Sequence, residues 1–191
     1  MTLEKEVMRT YHHVWENALS PQQCQEIIDY AAKIPFLEAG VRYQSSKAPA
    51  VRKSNIKWLP RDDQEGKWIW EHIIRMFHQS NQANYGFNLS YMPSIQYTEY
   101  HSDQQGYYDW HIDTVWTDER PSHRKLSVSI QLSDSSDYEG GQLEFERKPE
   151  KDIRKRGTAV IFPSFVRHRV TPVTAGKRHS LVAWFEGPKF V

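Results

Sequence analysis

The sequence predicts a mainly β fold, a sandwich or jelly-roll barrel with two helices packed outside one sheet, on three observations. Two capped amphipathic stretches precede residue 85, eight short runs rich in Tyr, Val, Ile, Thr and Phe follow from Phe87, and no helical period interrupts those runs. At 191 residues this reads as one domain over 1–191, helical to about residue 85 and β from about 86 to 188.

The first helix opens at Ser20-Pro21-Gln22-Gln23, where Ser caps free amides, Pro is tolerated at the first helical position and Gln completes a capping box. Ile27, Ile28, Ala31 and Ile34 recur at helical spacing, and Pro35 stops the element. Asp62 and Glu65 offer a second capping box ahead of Trp68, Ile69, Ile73, Met76 and Phe77; Trp68-Ile69-Trp70 should pack on the sheet. Residues 40–60 mix Gly, Pro, Ser and basic residues without period and read as a loop with room for a short strand. The strands expected after that are 87–92, 94–100, 107–112, 124–132, 141–147, 158–162, 166–173 and 179–185. Turns are expected at Gln104-Gln105-Gly106, Ser133 to Gly141 and Ala175-Gly176.

Composition excludes several classes. Lys+Arg 25 against Asp+Glu 24 leaves a formal charge of +1, neither an acidic disordered tail nor a basic nucleic-acid coat. The longest wholly apolar run, Leu181 to Phe185, is far short of the roughly 20 residues a spanning helix needs, so no membrane association is expected. The start, MTLEKEVMRT, lacks a signal-peptide apolar stretch, and the single Cys24 suits a reducing, cytoplasmic setting. With one cysteine, a bound metal must be held by nitrogen and oxygen. Nine His and 25 aromatics suggest a lined pocket.

His111 and Asp113 lie two apart in Tyr107-Tyr108-Asp109-Trp110-His111-Ile112-Asp113, so on an extended strand both leave one face and can share a cation. His168 sits 55 residues later at the edge of another expected strand. Two His and one carboxylate are associated with non-haem Fe(II) and leave coordination positions open, with zinc as the rival metal. A lone His-x-Asp is common by chance; Arg178, ten residues after His168, adds weight. That spacing carries the chain along one strand, round a Gly turn and back, and a guanidinium there suits a dicarboxylate.

These residues resemble the prolyl 4-hydroxylase-like branch of the Fe(II)- and 2-oxoglutarate-dependent dioxygenases, of bacterial and viral type, over roughly residues 90–188. The resemblance rests on Tyr107 to Asp113, Arg124 to Ser133, Gly140-Gly141-Gln142-Leu143-Glu144-Phe145, Gly157 to Ser164 and His168 to Trp184, in the family's order. It implies a double-stranded β-helix (jelly-roll, cupin-like) core. It also implies iron on His111, Asp113 and His168, the C5 carboxylate of 2-oxoglutarate on Arg178, and Tyr100 facing the cosubstrate ahead of Tyr97. Many relatives carry a cosubstrate-facing tyrosine where Gln131 stands, so Gln131 is expected to donate a hydrogen bond to the cosubstrate in its place, and the core prolyl hydroxylases often carry lysine where this chain has Arg178. Arg124 matches an arginine implicated in substrate contact, against the plain reading of a solvated strand-end cation. The implied reaction hydroxylates an unactivated C–H bond with O2 and 2-oxoglutarate, releasing succinate and CO2, with ascorbate as reductant. Its substrate would be a prolyl or other residue of a protein or peptide.

Trp110, Trp116, Tyr108 and Trp184 are candidates for pocket lining, though aromatics on strands also pack as ordinary core. His179 should face away from Arg178 and lie at the surface. His12, His13, His72, His78, His101 and His123 have no partner at ligand spacing. Two other readings compete: the same cofactors acting on a free amino acid or small metabolite, and a non-catalytic jelly-roll binding module. Trp184 stands where nucleic-acid demethylating relatives carry a further arginine, which argues against a nucleic-acid substrate. The loops 36–64 and 114–123 are expected to shape substrate access.

Overall fold

The computed structural model describes residues 8–35, 51–116 and 119–190. Its strands and main helices, in chain order, are β1 (His13–Trp15), α1 (Pro21–Ala32), β2 (Arg52–Lys53), β3 (Asn55–Leu59), α2 (Lys67–Ser80), β4 (Ile95–His101), β5 (Tyr107–His111), β6 (Ser122–Gln131), β7 (Tyr138–Gly140), β8 (Leu143–Phe145), β9 (Ala159–Pro163), β10 (His168–Val170) and β11 (Val173–Pro188). The large sheet runs β1-β9-β6-β11-β4-β3, with β7 attached to β11; the small sheet runs β2-β5-β10-β8. All pairings are antiparallel. This is the mainly β arrangement that the run of short strands predicts.

The Ser20 cap forms as its sequence requires: Ser20 Oγ accepts the Gln23 amide at 3.1 Å and Gln23 Oε1 accepts the Ser20 amide at 2.9 Å. The second box does not form. Helix α2 starts at Lys67 behind Gly66 with no side-chain cap, which leaves Asp62 and Glu65 ahead of the helix, and the neighbouring Asp63 accepts the Glu65 amide and the Tyr30 hydroxyl. Gly66 must be small here, since a Cβ would lie 2.7 Å from the Tyr30 hydroxyl.

Strand period 2 divides the large sheet into two chemistries. Leu126, Val128 and Ile130 of β6, Ile161 of β9, and Leu181, Ala183 and Phe185 of β11 join α1 (Cys24, Ile27, Tyr30) and α2 (Ile69, Trp70, Ile73, Met76, Phe77) in the main core. The intervening residues Ser127, Gln131, Ser180, Thr98 and Gln96 are equally buried but small or polar. A buried face of small side chains leaves space and hydrogen-bonding groups between the sheets, where a plain sandwich would be filled with aliphatics.

Four expectations are corrected. Residues 87–92 form no strand: Tyr91 makes one isolated bridge to Glu186, and Pro93, which has no amide to donate, separates it from β4. The expected strands 166–173 and 179–185 are not joined by a turn at Ala175-Gly176. The chain crosses between sheets at Thr171–Pro172, and β11 is continuous from Val173. Gly176 (φ +69) is instead the point where β11 leaves β7 for β4, with a Cβ position 2.0 Å from the Asp137 carbonyl oxygen. The segment read as a loop with room for one short strand holds two, β2 and β3, while residues 36–50 lie outside the described residues. His179 faces away from Arg178 but is not a surface residue: its Nδ1 meets the Tyr97 hydroxyl against the core.

His12 yields a pH prediction. Its ring lies 4.4 Å from Phe145, its Nε2 is buried without a partner, and burial, followed by the Arg147 charge, lowers its pKa to about 4. The unfolded chain therefore binds a proton between pH 6.5 and about 4 that the native protein refuses, so this stabilisation is complete above pH 6.5 and lost on acidification. His12→Phe, which keeps the ring and removes the titration, should flatten the acid limb of a denaturant-monitored stability curve in that window. An unchanged slope would rule the contribution out.

Candidate metal and cosubstrate site

His111 ends β5, pairs with His168 of β10, and Asp113 follows just beyond the strand. A register irregularity places Tyr108 opposite Val170, two residues from His168 but three from His111. The extra residue on β5 is a bulge, and it lets Tyr108 stack on the His111 ring at 3.5 Å and 11°. Asp113 is held by backbone as well as side chain: its amide donates to the Ser164 carbonyl at 2.8 Å, and Ser127 Oγ donates to its Oδ2 at 2.7 Å.

Both imidazoles have a fixed tautomer. Nδ1 of His111 lies 2.7 Å from the Asp109 carbonyl and Nδ1 of His168 lies 2.9 Å from the Val166 carbonyl. A carbonyl only accepts, so each Nδ1 carries the proton and each Nε2 lone pair is free. Those Nε2 atoms stand 3.7 and 3.6 Å from the Asp113 carboxylate oxygens, and one ligand atom from each residue lies within 4.8 Å of the others. Phe162 packs edge-on against His168 at 4.8 Å. Burial, followed by the His168 charge, lowers the His111 pKa to about 4, so this ring is neutral at neutral pH. Burial alone would raise Asp113, yet His168, His111, Arg124 and the Ser127 hydrogen bond together hold its carboxyl below the usual range. Two imidazole nitrogens and one carboxylate, with no sulfur, fit a ferrous ion with open positions.

Arg178 sits on β11 opposite Tyr100 of β4 and is 3% exposed. Its Nε donates to Gln131 Oε1 at 3.0 Å, while the Gln131 amide nitrogen donates to the Ser133 carbonyl and the Tyr138 hydroxyl, both at 3.1 Å. Gln131 is thus an orienting acceptor behind the guanidinium. Gly141 (φ +57) allows the approach, since its Cβ would lie 3.1 Å from Arg178 Cδ. No described carboxylate pairs with this buried cation. An unpaired buried charge is costly, and an anion delivered by a ligand would offset that cost. Ser127, Ser129 and Gln131 share one face of β6, so about 13 Å of strand separates the residue anchoring Asp113 from the residue orienting Arg178. A dicarboxylate bridging metal and guanidinium fits such a span.

The structure brings His111, Asp113, His168, Arg178, Gln131 and Tyr100 to the space between the sheets. Tyr100 clusters with Tyr138, Val170 and Val173, its ring 5.6 Å from the Arg178 guanidinium. Tyr97 belongs to the helix-side core. Arg124 is not a solvated strand-end cation: its guanidinium lies 3.8 Å over the Trp184 ring, and its Nε is buried without a partner. Of the four aromatic lining candidates, Tyr108 and Trp184 are at the site. Trp110 is outside it, flanked by the Arg167 and Arg169 guanidiniums, because it neighbours His111 on the strand and faces the other way. Trp116 is 50% exposed and packs on His123 and Phe190. Sequence reasoning missed Arg52, whose two-residue strand carries no periodic signal, and the anchors Ser127 and Ser164.

The model of the 2OG-Fe(II) oxygenase superfamily matches residues 95–186. A PKHD-type hydroxylase of Synechococcus sp. (strain CC9902) is 40% identical over 81 residues, 41% of this chain and 36% of that protein. The matched part thus spans little more than a third of that relative. A PKHD-type hydroxylase of Shewanella oneidensis is 30% identical over 175 residues, 89% of this chain and 75% of the relative. Among solved structures, a prolyl hydroxylase from Trichoplax adhaerens, in complex with a hypoxia inducible factor oxygen degradation domain peptide fragment, superposes with a TM-score of 0.71. It shares 19% identity, with 92% of this chain and 83% of that chain covered.

Proposed function

Because the chain belongs to the 2OG-Fe(II) oxygenase superfamily, we propose that it hydroxylates an unactivated C–H bond of a prolyl or other residue in a protein or peptide. Its cosubstrates are 2-oxoglutarate and O2, and it releases succinate and CO2. The observation that carries this reading is the convergence, in the space between the two sheets of a double-stranded β-helix, of a three-residue nitrogen and oxygen ligand set on the small sheet with a buried, carboxylate-free arginine on the large one.

His111, Asp113 and His168 hold Fe(II), and Arg178 holds the distal carboxylate of 2-oxoglutarate, oriented by Gln131 and flanked by Tyr100. When bound, the iron couples oxidative decarboxylation of the cosubstrate to C–H oxidation. The chain's own contribution is placement: the Asp109 and Val166 carbonyls fix the two imidazoles, Ser127 fixes the carboxylate, and Tyr108 and Phe162 shield the rings from water. Arg124 and Trp184 contact the substrate. Ascorbate serves as the reductant that keeps iron ferrous, and the cytoplasm is the compartment. Among the described residues no helix is long and apolar enough to cross a membrane.

Peptide substrate is supported by the Trichoplax neighbour, whose described complex contains a peptide. The test has two stages. Anaerobic addition of Fe(II) and 2-oxoglutarate should develop the weak visible charge-transfer band of a chelated cosubstrate. Aerobic incubation with a proline-rich peptide library should then give succinate and a peptide one oxygen atom heavier. No band in metal-replete protein rejects the oxygenase reading; a band with no modified peptide rejects the peptide substrate alone.

A further inference from the structure

Arg52 lies on β2 opposite Tyr108 of β5, and its side chain crosses from the small sheet toward the inner face of β4. Its Nε donates to Ser54 Oγ, while its terminal nitrogens reach Gln96 Oε1 only at 3.4 Å and Thr98 Oγ1 only at 3.5 Å. Those two contacts are at the limit for hydrogen bonds, and Gln96 already gives its amide to Thr98 at 2.7 Å. The guanidinium stands 5.0 Å from the ring of Tyr108, the residue stacked on His111. Arg124 approaches from β6, stacked on Trp184, its Nε buried and unpartnered and Trp184 Nε1 likewise. Trp58 closes on Trp184 at 6.3 Å.

Charge decides what this pair of guanidiniums is for. Neither Arg52 nor Arg124 has an ion-pair partner among the described residues. Glu186, which faces Arg124 across the β6–β11 ladder, is occupied by the Tyr91 and Ser122 hydroxyls and by Arg120. Asp113 is committed to the two histidines and Ser127. Once a divalent ion and a doubly charged cosubstrate are seated against Asp113 and Arg178, those four charges cancel, and Arg52 and Arg124, whose charges both act on Tyr108, remain beside the reacting centre without an ion-pair partner, Arg124 keeping only the longer-range attraction of Glu186. A half-buried guanidinium without a counter-ion is an anion receptor by geometry and by cost.

We infer that Arg52 is a specificity residue which, with Arg124, binds a carboxylate of the substrate. The substrate is an acid close to its oxidised carbon, through either an acidic side chain or a chain-terminal carboxylate. This rests on the oxygenase reading and narrows its substrate class. Loss of either guanidinium leaves the other to bind more weakly, and lysine at position 52 keeps the charge but not the planar fork.

The test uses anaerobic protein loaded with Fe(II) and 2-oxoglutarate, titrated with two matched pairs while tryptophan fluorescence is followed. Ac-Ala-Pro-Glu-NH2 against Ac-Ala-Pro-Gln-NH2 probes a side-chain acid, and Ac-Ala-Pro-OH against Ac-Ala-Pro-NH2 a terminal one. In at least one pair the acid should bind about tenfold more tightly than its amide. That preference should fall below about threefold in Arg52→Gln, where Arg124 alone remains, and return in part in Arg52→Lys. Equal binding within both pairs, no binding by either acid, or a preference undiminished in Arg52→Gln would each overturn the inference. The charge-transfer band is recorded in every sample: its absence from wild type condemns the oxygenase reading, and its presence without acid preference condemns the carboxylate inference alone.

Discussion

Asp113→Ala is expected to lose Fe(II) binding and, with it, more than about 100-fold of 2-oxoglutarate turnover, since even outer partners of metal ligands cost roughly 10- to 100-fold when removed. The carboxylate is the one anionic donor of the cluster, and the two imidazoles left behind have nothing to balance a dication. Its anchoring gives the effect a gradation. Ser127→Ala removes the 2.7 Å donor to Asp113 Oδ2 but leaves the Asp113 amide bonded to Ser164. That variant should therefore retain metal with affinity lowered about tenfold. Iron content after desalting, measured beside succinate formation, checks both. Stoichiometric iron in Asp113→Ala would mean that the cluster is not the metal centre.

Arg178→Gln should raise the dissociation constant for 2-oxoglutarate by about 100-fold while iron still binds, because a charged, paired contact to a carboxylate contributes roughly 1.5–3 kcal/mol per hydrogen bond. Gln131→Leu should act in the same direction by a smaller factor, about tenfold, since it removes the acceptor at 3.0 Å that aims the guanidinium rather than the guanidinium itself. The two substitutions should be far from additive, as Gln131 has nothing to orient once Arg178 is gone. Calorimetric titration of the metal-loaded protein without oxygen reads the constants. Additive effects would show that Gln131 acts on the cosubstrate independently.

The parts of this site legible in the sequence were those encoded by short spacings. His111 and Asp113, two apart, do come together with His168, and outside the site the Ser20 cap forms; Arg178 reaches the site by the crossing at Thr171–Pro172 and the continuous strand β11, and not by the Gly turn that its spacing suggests. What stayed hidden depended on tertiary pairing. Arg52 enters through a strand of two residues that exists only because β5 lies beside it. The bulge that turns Tyr108 onto His111 is a register offset against β10, which no single strand records. Pairing also explains the misplaced turn: Ala175-Gly176 has turn composition, but Gly176 spends its positive φ on a kink within β11 where the strand changes partners. The start of α2 was misplaced as well: the helix begins at Lys67, beyond Asp62 and Glu65, in a stretch where Asp63 is tied to Tyr30, 33 residues earlier.

The long strand β11 inserts between β4 and β6, although it follows both in chain order. During vectorial synthesis the nascent chain therefore presents two unpaired sheet edges, each flanked by apolar residues destined for the helices, until this strand leaves the ribosome. Exposed edges of that kind are templates for intermolecular pairing, and distant pairings form slowly. Yield of native enzyme in cells should thus depend on holdase capacity and on the translation rate through the codons for residues 173–188, more than on the thermodynamic stability of the finished barrel.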